Sequence, residues 1–555
     1  MKKKFIYFVG AALALFSFNS CDLDINKDPY AVTSLDVAQL LTATEYEVAA
    51  TFSEGYYLNA NFSSYVHHTV SREVDNYALV SSYSTLGNTW SQAYQYAIKN
   101  SDKLILEGDA TGNSYYAGIG RVLRAYTYLA MTDLWGNIPY SEANVDGVQF
   151  PKADSSESIY NSLLASLNTA IANFKDTESV NDFPLGSNDL FYGGDVAKWL
   201  KAANTLKLKL LVQSRPAKTK INNWDAELSA LLTENNLMAD GEDLQFPHST
   251  ATAPMDERKR GFRDEYEGGQ KTCFISPWLY EVMNGKTTNF KNNPLMGIKD
   301  PRTNYYYCNQ LTADAAATNP VDYRDGAFVS IMFGSNSGNA SHSHENAMTV
   351  LGIYPIGGKY DDGNGGTIGA KSGNGVAPDK MLQAYSVPFM LAELTLAGEY
   401  NGDAAALLKE GMLSSIYHVN AVASKSNPSC PLISAEAATE FTDAVLAKYN
   451  AADANVKLEI LMTQKWIANF YNPVEAYTDI RRTGYPQLFT GDDGYAYSPF
   501  AQTAEPVSGT TRFNIVTLLD FPRSLWYPMD ETSVNPNITN DGRVLAEKVL
   551  FWDVK

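Results

Sequence analysis

Apolar residues recur every three or four positions over long stretches at both ends of the chain. Between residues 114 and 134, for example, Ile119, Val122, Leu123 and Tyr126 fall on one stripe of a helix. Such a period is typical of an amphipathic α-helix with one buried face. The same pattern, bounded by glycine, proline and capping residues, predicts nine helices. Their predicted ranges are 34–54, 88–106, 114–134, 155–174, 195–214, 381–398, 403–418, 435–449 and 457–471.

Eight of these helices form adjacent pairs along the chain. The pairs are 88–106 with 114–134, 155–174 with 195–214, 381–398 with 403–418, and 435–449 with 457–471. Helix pairs of this size are typical of tetratricopeptide-type hairpins, although no strict consensus repeat is visible. The segment Asp154-Ser-Ser-Glu157 has the arrangement of a capping box, which predicts the start of the helix at 155–174.

The middle of the chain lacks this helical period. From about residue 240 to 380 it is rich in Gly, Pro, Asn and Tyr, with short β-like runs at 328–333 and 349–353. A second irregular stretch covers 55–87. Long irregular stretches in a compact protein are usually functional or disordered, and the aromatic residues here argue against plain disorder. We therefore predict a mainly α fold with an irregular but ordered central part.

The charge balance narrows the class of partner. The 555 residues include 43 Lys and Arg against 62 Asp and Glu, which gives a formal net charge of -19. A chain this acidic has no long-range attraction for nucleic acid, because such binding depends on Lys and Arg meeting phosphate. Tyrosine is abundant, with 35 residues, and its amphipathic ring suits wet binding surfaces. We therefore expect no nucleic-acid partner.

The first 20 residues have the pattern of an export signal. Three lysines precede the apolar run 5–18, and Ser20 precedes Cys21. A basic start, a short apolar region and a small residue before the cleavage point are typical of a secretory signal. At about 1.5 Å per residue the apolar run is too short to span a bilayer, and no later apolar run is longer. We therefore predict a signal peptide at 1–20.

Cys21 is predicted to be the acylated first residue of the mature protein. The residues before it resemble a bacterial lipobox, although Phe18 and Asn19 depart from the usual aliphatic and small residues. The acidic start of the mature chain resembles the export tag of Bacteroidetes lipoproteins that reach the outer face of the outer membrane. We expect a lipid-anchored tether at 21–33 and a position at the cell surface. The alternative is a soluble secreted protein with an incidental cysteine.

Three further cysteines are present, namely Cys273, Cys308 and Cys430. In an oxidising compartment they permit at most one disulfide. Cys273 and Cys308 are the closer pair in sequence, and the sequence leaves open whether they are joined.

Three stretches of the chain carry a family resemblance. They are 24–29, which reads Asp-Ile-Asn-Lys-Asp-Pro; 123–140, which ends Asp-Leu-Trp-Gly-Asn-Ile-Pro-Tyr; and 464–486, which ends Ile-Arg-Arg-Thr-Gly-Tyr-Pro. Together they resemble the SusD/RagB-type nutrient-binding outer-membrane lipoproteins, in the subgroup whose mature chain starts with INKDP. The resemblance covers nearly all of the chain after Cys21.

The resemblance implies a SusD-like fold and a role in nutrient uptake. It implies a single domain over 34–555, with a helical core at about 34–236 and 381–486 and an irregular ligand-face insertion at about 240–380. Four tetratricopeptide-type hairpins are implied, with loops and small β-hairpins on the ligand face. The protein would act as a lid on a SusC-type TonB-dependent transporter, capture a nutrient oligomer and deliver it to the barrel.

The family's motif residues are predicted to be structural. Arg124, Asp133 and Trp135 lie where a helix turns into a loop, and buried polar groups in such a place must be paired. Arg481 and Arg482 are expected to form ion pairs with a neighbouring helix.

No motif predicts catalysis, a metal or a cofactor. His344 and Glu345 fail the zinc-peptidase pattern because Met348 replaces the second histidine. The segment 365–372 nearly matches the phosphate-loop motif, but Ala370 occupies the position where glycine is required. A glycosidase needs two carboxylates flanking one bond, and 62 acidic residues select no pair. We therefore predict a binding protein rather than an enzyme.

Capture of oligosaccharides is the favoured function. Sugar rings bind to aromatic platforms with polar side chains nearby. Trp90 and Tyr94 lie one helical turn apart, so both can point the same way. Trp278, Tyr305 and Tyr306 lie in the irregular middle. In glycan binders of this family the platform comes from a comparable early helix start and from the central loops, so the resemblance implies these residues as ligand contacts.

Capture of oligopeptides is the alternative that the RagB branch implies. Peptides bind through backbone hydrogen bonds and charge complementarity. Arg72, Glu73, Asp75 and Asn76, in the first irregular stretch, are candidates to pair with peptide termini. A protein-binding helical scaffold and a surface hydrolase are the remaining alternatives. The sequence favours glycan over peptide only through its tyrosine and tryptophan content.

Overall fold

The structure, a computed structural model, describes residues 36–53, 58–72, 77, 86–268, 271–286, 293–315, 323–334, 346–487 and 521–554. The protein is mainly α-helical, as the periodicity predicts. Its helices are α1 (Val37–Ser53), α2 (Asn59–Tyr65), α3 (Gly87–Gln92), α4 (Lys99–Thr111), α5 (Ser114–Trp135), α6 (Ser156–Lys175), α7 (Val196–Ser214), α8 (Trp224–Glu234), α9 (Arg260–Phe262), α10 (Pro277–Met283), α11 (Thr303–Tyr306), α12 (Ile353–Ile356), α13 (Ser386–Leu396), α14 (Ala404–Ser426), α15 (Ala435–Ala451), α16 (Ala454–Ala468), α17 (Pro473–Thr483) and α18 (Met529–Thr532). Two π-helical turns, Ala93–Ile98 and Arg263–Glu267, continue α3 and α9, and 3₁₀ turns lie at Gly186–Asn188 and Arg215–Lys220.

The strands are all short. They are β1 (Thr69–Ser71), β2 (Ile138–Pro139), β3 (Ala153–Asp154), β4 (Leu244–Phe246), β5 (Cys273–Ile275), β6 (Tyr307–Cys308), β7 (Tyr323–Asp325), β8 (Phe328–Ser330), β9 (Val350–Leu351) and β10 (Asp379–Leu382). One antiparallel sheet has the order β1-β5-β9-β6, and the pairs β2-β3, β4-β10 and β7-β8 form two-stranded ribbons.

The predicted helix pairs are present as packed neighbours. Helix α4 packs on α5, α6 on α7, α13 on α14, and α15 on α16. Helix α5 also packs along α6, so successive helices form a continuous layer. Gly118 allows this close approach, because a Cβ at that position would lie 2.8 Å from the ring of Phe174.

Side-chain caps explain where several helices begin. The Ser155 hydroxyl accepts a hydrogen bond from the backbone N–H of Ser158 at 3.1 Å, which satisfies one free donor of α6. Aspartates cap α7, α14 and α16 in the same way. The capping box predicted at Asp154 is wrong, because this carboxylate accepts instead from the backbone N–H of Ser141 at 2.8 Å.

Helix α17 has no counterpart among the predicted helices. All 11 of its residues are buried, the charged ones included, so its polar face packs against the protein and not against solvent. Its charged side chains are paired: Arg482 bonds the carboxylate of Glu393 on α13 and also Asp479 at 2.8 Å. The predicted ion pair to a neighbouring helix is confirmed for Arg482. Arg481 lies over the ring of Tyr477, with 4.0 Å between its Cζ atom and the ring centroid.

The other motif residues are also paired. The guanidinium of Arg124 donates to Asp102 at 2.6 Å and lies 4.7 Å from the ring centroid of Tyr140. The indole N–H of Trp135 donates to the carbonyl oxygen of Trp526 at 2.9 Å. Asp133 accepts hydrogen bonds from Tyr160 and Gln213. These contacts join the end of α5 to distant parts of the chain, as a structural role requires.

The sheet explains the state of the cysteines. Phe274 of β5 and Cys308 of β6 both pair with Val350 of the intervening β9. Cys273 and Cys308 therefore lie about two strand spacings, roughly 10 Å, apart, which exceeds the Cα separation that a disulfide tolerates. Cys273, Cys308 and Cys430 are buried and are not joined to one another by a disulfide.

The central part of the chain supplies core as well as surface. Buried residues of this part, such as Trp278 and Tyr306, belong to one continuous hydrophobic core with Leu41 of α1 and Trp552 near the chain end. Within the described residues, no helix combines the length and the apolar character needed to cross a membrane.

Candidate ligand-binding clefts

Trp278 lies inside an aromatic cluster with His67, Tyr77 and Phe333, here called the Trp278 cluster. Its ring stacks on the imidazole of His67 with centroids 4.6 Å apart, and Phe333 packs edge-on against the same imidazole at 4.7 Å. None of the Trp278 surface is exposed. A ring that is covered on all sides offers no face to a sugar, so the prediction of an exposed platform at Trp278 is wrong.

Tyr305 and Tyr306 are also core residues. The ring of Tyr306 is sandwiched between those of Tyr354 and Phe470, with centroid distances of 5.0 and 4.8 Å. The Tyr305 hydroxyl donates to the carbonyl oxygen of Pro431 at 2.6 Å, and the side chain is buried. The prediction of exposed ligand contacts at these two positions is wrong, because the short helix α11 directs both rings into the core.

Arg72 is buried as well, and its backbone N–H donates to the carbonyl oxygen of Thr272 at 2.9 Å. It is therefore not presented to solvent, as pairing with a peptide terminus would require. The predicted contacts Asp75 and Asn76, and the predicted acylation site Cys21, lie outside the described residues.

Trp90 and Tyr94 do share a cleft, called the Trp90 cleft, with a volume of about 330 Å³. Helix α3 and its π-helical extension form one wall, residues 139–151 form a second, and the segment around α18 forms the third. The lining residues are Trp90, Ser91, Tyr94, Gln95, Pro139, Ala143, Asn144, Val148, Pro151, Pro528, Asp530 and Glu531. The expectation that the two aromatic side chains point the same way is therefore confirmed.

The base of the Trp90 cleft is aromatic. The Trp90 and Tyr94 rings are tilted against each other with centroids 4.9 Å apart, and Trp135 closes the other side of Trp90 at 5.3 Å. Only 5 % of Trp90 is exposed, so this residue forms a wall rather than an open platform. Its indole N–H donates to the carboxylate of Glu531 at 3.3 Å. Tyr94 is less buried and offers more of its ring.

The Tyr94 hydroxyl is already used within the protein. Burial raises the pKa of Tyr94 well above its ordinary value, and Tyr128 and Glu531 act in the same direction. The phenol therefore stays protonated and donates to the carbonyl oxygen of Pro139 at 2.7 Å. Tyr94 can offer a ligand its ring but not a free hydroxyl.

The rim of the Trp90 cleft is polar. Gln95, Asn144 and Asp530 are exposed there. Asn144 adopts the left-handed conformation (φ 56°), which asparagine tolerates better than most residues. Of the described residues that line the cleft, only Asp530 and Glu531 carry a charge. The rim therefore combines amide groups, which both donate and accept, with carboxylates, which only accept.

A second cleft, which the sequence does not predict, is larger at about 980 Å³. It is called the Tyr46 cleft and lies between α1 and the segment 246–263. Tyr46 stands on a face of α1 that is otherwise made of small and polar residues, including Ala43 and Ala50. A tyrosine on a helix face of small and polar residues is the one sequence signal that could have indicated this site. The opposite wall lies some 200 residues along the chain and carries no motif.

No metal centre is evident in the part of the chain that the structure describes. There, no three side chains of His, Cys, Asp or Glu come together in a way that could hold an ion. The buried imidazoles of His67, His68 and His418 each have a pKa lowered to about 3 by burial. They are therefore neutral groups of the core.

The described residues thus form a mainly helical body with two open clefts that are lined by aromatic and polar side chains. The chain belongs to the SusD-like family: the family model described as starch-binding and associating with the outer membrane matches residues 29–499. No curated protein matches the chain.

Solved structures share the fold over nearly the whole chain. A SusD/RagB family protein from Bacteroides thetaiotaomicron is 20% identical, with a TM-score of 0.67 over 94% of this chain and 99% of that chain. A chitin-binding protein is 21% identical, with a TM-score of 0.65 over 94% of this chain and 100% of that chain. A chitin-binding SusD homologue from Flavobacterium johnsoniae is 18% identical, with a TM-score of 0.63 over 93% of this chain and 98% of that chain. At these identities the likeness shows a common fold.

Proposed function

We propose that the protein captures oligosaccharides at the cell surface and delivers them to a SusC-type TonB-dependent transporter, with the Trp90 cleft as a binding site. The observation that carries the proposal is that two aromatic side chains meet the polar groups of Gln95, Asn144 and Asp530 in one open cleft. Sugars present apolar C–H faces and rims of hydroxyl groups, so their sites need both kinds of surface. Membership of a starch-binding family supports the same class of ligand.

The rim suits neutral sugars. Each sugar hydroxyl both donates and accepts, and the Gln95 amide can pair with it in either direction. Asn144 offers its amide oxygen, because its N–H groups donate to the carbonyl oxygen of Tyr94 (3.4 Å) and to Asp102 (3.5 Å). The carboxylate of Asp530 accepts from hydroxyl groups in charge-assisted bonds, which are stronger than neutral ones. The volume of about 330 Å³ is at the lower end for ligand sites. The cleft would therefore hold a short part of an oligomer, and the remainder would extend over the surface.

The position at the membrane is proposed to depend on acylation of Cys21. Each buried CH₂ of a lipid chain contributes about 0.8 kcal/mol to membrane binding, so a multiply acylated cysteine anchors stably. The family's description as associating with the outer membrane supports this location. Fractionation of cells that express Cys21→Ala tests it: the variant should leave the membrane fraction, whereas the wild-type protein should stay there.

Partnership with a transporter is proposed from the family resemblance alone. Affinity purification from detergent-solubilised outer membranes should recover a TonB-dependent barrel together with the protein. Recovery of the protein by itself under mild detergent conditions would contradict the partnership.

Calorimetric titration tests the ligand class. The probes are malto-oligosaccharides, chito-oligosaccharides and a set of mixed oligopeptides, added to the purified protein. We expect saturable binding of at least one oligosaccharide, weakened by Gln95→Ala or Asp530→Ala. Tyr96→Ala is the matched control, because Tyr96 adjoins Gln95 in sequence but is not among the residues that line the cleft.

The alternatives predict different results. Binding of peptides only would favour oligopeptide capture. Association with the transporter but with no small ligand would favour the protein-binding scaffold. Equal loss of affinity in Gln95→Ala and in the control Tyr96→Ala would place the sugar site elsewhere.

A further inference from the structure

The Tyr46 cleft contains a row of aromatic rings, and Tyr46 at one end of the row is exposed to solvent. Tyr46 is 47% exposed, and its ring meets that of Phe246 edge-to-face with centroids 6.0 Å apart. The imidazole of His248 continues the row at 5.6 Å from Phe246. With small side chains beside it on α1, the Tyr46 ring has open space around it. It therefore offers the kind of platform that Trp90 does not.

The carboxylates that line the Tyr46 cleft are already engaged within the chain. The pairs are Asp256 with Arg258 (2.7 Å), Glu257 with the Ser249 hydroxyl (2.6 Å), Asp379 with Lys259 (2.8 Å) and Glu47 with the Gln92 amide. Burial alone would raise the pKa of Asp379, but Lys259 and His248 outweigh it and hold that pKa well below its usual range. These carboxylates therefore already accept hydrogen bonds from donors within the protein.

Two arginines that line the same cleft form only long ion pairs within the protein. The side chain of Arg260 is 51% exposed and its Nε atom lies 3.4 Å from a carboxylate oxygen of Asp264. The side chain of Arg263 is 36% exposed and its nearest ion-pair distance, to Asp256, is 4.0 Å. Exposed pairs at such distances contribute little. Both guanidinium groups therefore keep N–H donors for a ligand in the cleft.

A guanidinium group matches a carboxylate in geometry, because its N–H groups form a planar fork that can bond both oxygens. A site with arginines beside an exposed aromatic ring can therefore bind a carboxylate and stack a sugar ring at the same time. The Trp90 cleft has the opposite character, since its charged lining residues are Asp530 and Glu531. The two clefts are therefore suited to different ligands.

We infer that the Tyr46 cleft binds oligosaccharides that carry carboxylate groups, as chains of uronic acids do. Arg260 and Arg263 hold the carboxylates, and Tyr46 packs against a sugar ring. The inference rests on the proposed function in that it assumes oligosaccharide capture, but it assigns a separate site and a separate class of ligand.

Titration with a matched pair of probes tests the inference. The probes are oligomers of galacturonic acid and the same oligomers with every carboxyl group methyl-esterified. We expect the acidic oligomer to bind the purified protein at least about tenfold more tightly than the ester, because a hydrogen bond to a charged group is worth about that factor. The double variant Arg260→Gln/Arg263→Gln should lose about the same factor. Tyr46→Ala should weaken binding of the acidic oligomer as well.

Two control variants match these changes. Lys99→Gln/Lys103→Gln removes two positive charges from exposed positions outside the cleft. Tyr96→Ala removes a tyrosine that is 47% exposed, the same fraction as Tyr46. Both controls should keep the affinity within about twofold of wild type. Thermal unfolding curves check that every variant is folded.

Three results would overturn the inference. They are equal affinity for acid and ester, wild-type affinity in the double arginine variant, and tight binding of a glutamate pentapeptide that depends on the same residues. The last result would show that the cleft binds the carboxylates of a peptide and not those of a sugar. If neutral oligosaccharides still bind and Gln95→Ala still weakens that binding, any of these results leaves the proposed function intact. Absence of binding for every oligosaccharide, acidic or neutral, would reject both.

Discussion

The Trp278 cluster and the Trp90 cleft are built from similar side chains but differ in what covers them. In the cluster, aromatic rings pack on aromatic rings, and Trp278 has no exposed surface. In the cleft, Trp90 packs between Trp135 and Tyr94, and the less buried Tyr94 borders open space lined by polar groups. A binding surface thus forms here where a helix that carries aromatic residues meets polar segments from distant parts of the chain. A high local density of aromatic residues instead forms core.

The largest expected effect comes from truncating the cluster. Trp278→Ala should lower the free energy of unfolding by about 3–5 kcal/mol, because it leaves a cavity among packed rings. Chemical denaturation measures this loss. The folded fraction should bind oligosaccharide with unchanged affinity, and a selective loss of ligand affinity would return Trp278 to the binding site. Tyr96→Ala, at an exposed position, should change stability by no more than about 0.5 kcal/mol.

The burial of His67 in the Trp278 cluster predicts that the free energy of unfolding depends on pH. Burial lowers the pKa of His67 to about 3, below the unfolded value of 6.5. The stability that depends on neutral His67 is therefore complete above pH 6.5 and is lost as the pH falls from 6.5 toward 3. Between pH 7 and pH 5 the wild-type protein should lose up to about 2 kcal/mol more than His67→Asn. Asparagine is chosen because His67 has a positive φ of 57°. Parallel pH profiles of the two proteins would show that the imidazole is hydrated.

A change at the base of the cleft should act mainly on binding. Trp90→Phe keeps an aromatic ring but removes the indole N–H that donates to Glu531. We expect a loss of about 1 kcal/mol in the free energy of unfolding. Glu531 then keeps only the hydrogen bond from the Asn535 amide at 2.8 Å, so its carboxylate is held less firmly at the rim. Calorimetry should therefore also record weaker binding of the oligosaccharide, by about three- to tenfold. Wild-type affinity in Trp90→Phe would remove Trp90 from the site.

The smallest expected effect sharpens the role of Tyr94. Tyr94→Phe removes a hydroxyl that bonds Pro139 and leaves the ring in the cleft. Ligand affinity should stay within about twofold of wild type, since the ring and not the hydroxyl faces the ligand. A large loss of affinity in calorimetry would mean that the hydroxyl turns toward the sugar when it binds.

Much of the fold could be predicted from local sequence. The helices α5, α6 and α7 lie within a few residues of their predicted bounds, because each has one apolar stripe and clear terminal signals. Helix α17 was not predicted: it has only 11 residues, and its buried acids and arginines depend on partners such as Glu393 on another helix, which no local pattern indicates. Strands β8 and β9 lie within the predicted β-like runs 328–333 and 349–353, which are thereby confirmed. The other strands were not predicted, because most have only two or three residues.

The candidate sites were less predictable than the fold. The common direction of Trp90 and Tyr94 follows from their spacing on a helix. The rest of the cleft depends on Asp530 and Glu531, about 440 residues further along the chain, and no local pattern indicates that contact. For Trp278, Tyr305 and Tyr306 the irregular sequence favoured exposure. Their burial results from ring packing across elements that are distant in sequence.

Hydrogen–deuterium exchange with and without a saturating neutral oligosaccharide tests the central claim most directly. Backbone amides in a segment that binds a ligand exchange more slowly because local opening is suppressed. The account predicts protection in three segments that line the Trp90 cleft, namely 90–95, 139–151 and 528–531. Protection confined to other surfaces, with these three segments unchanged, would contradict it.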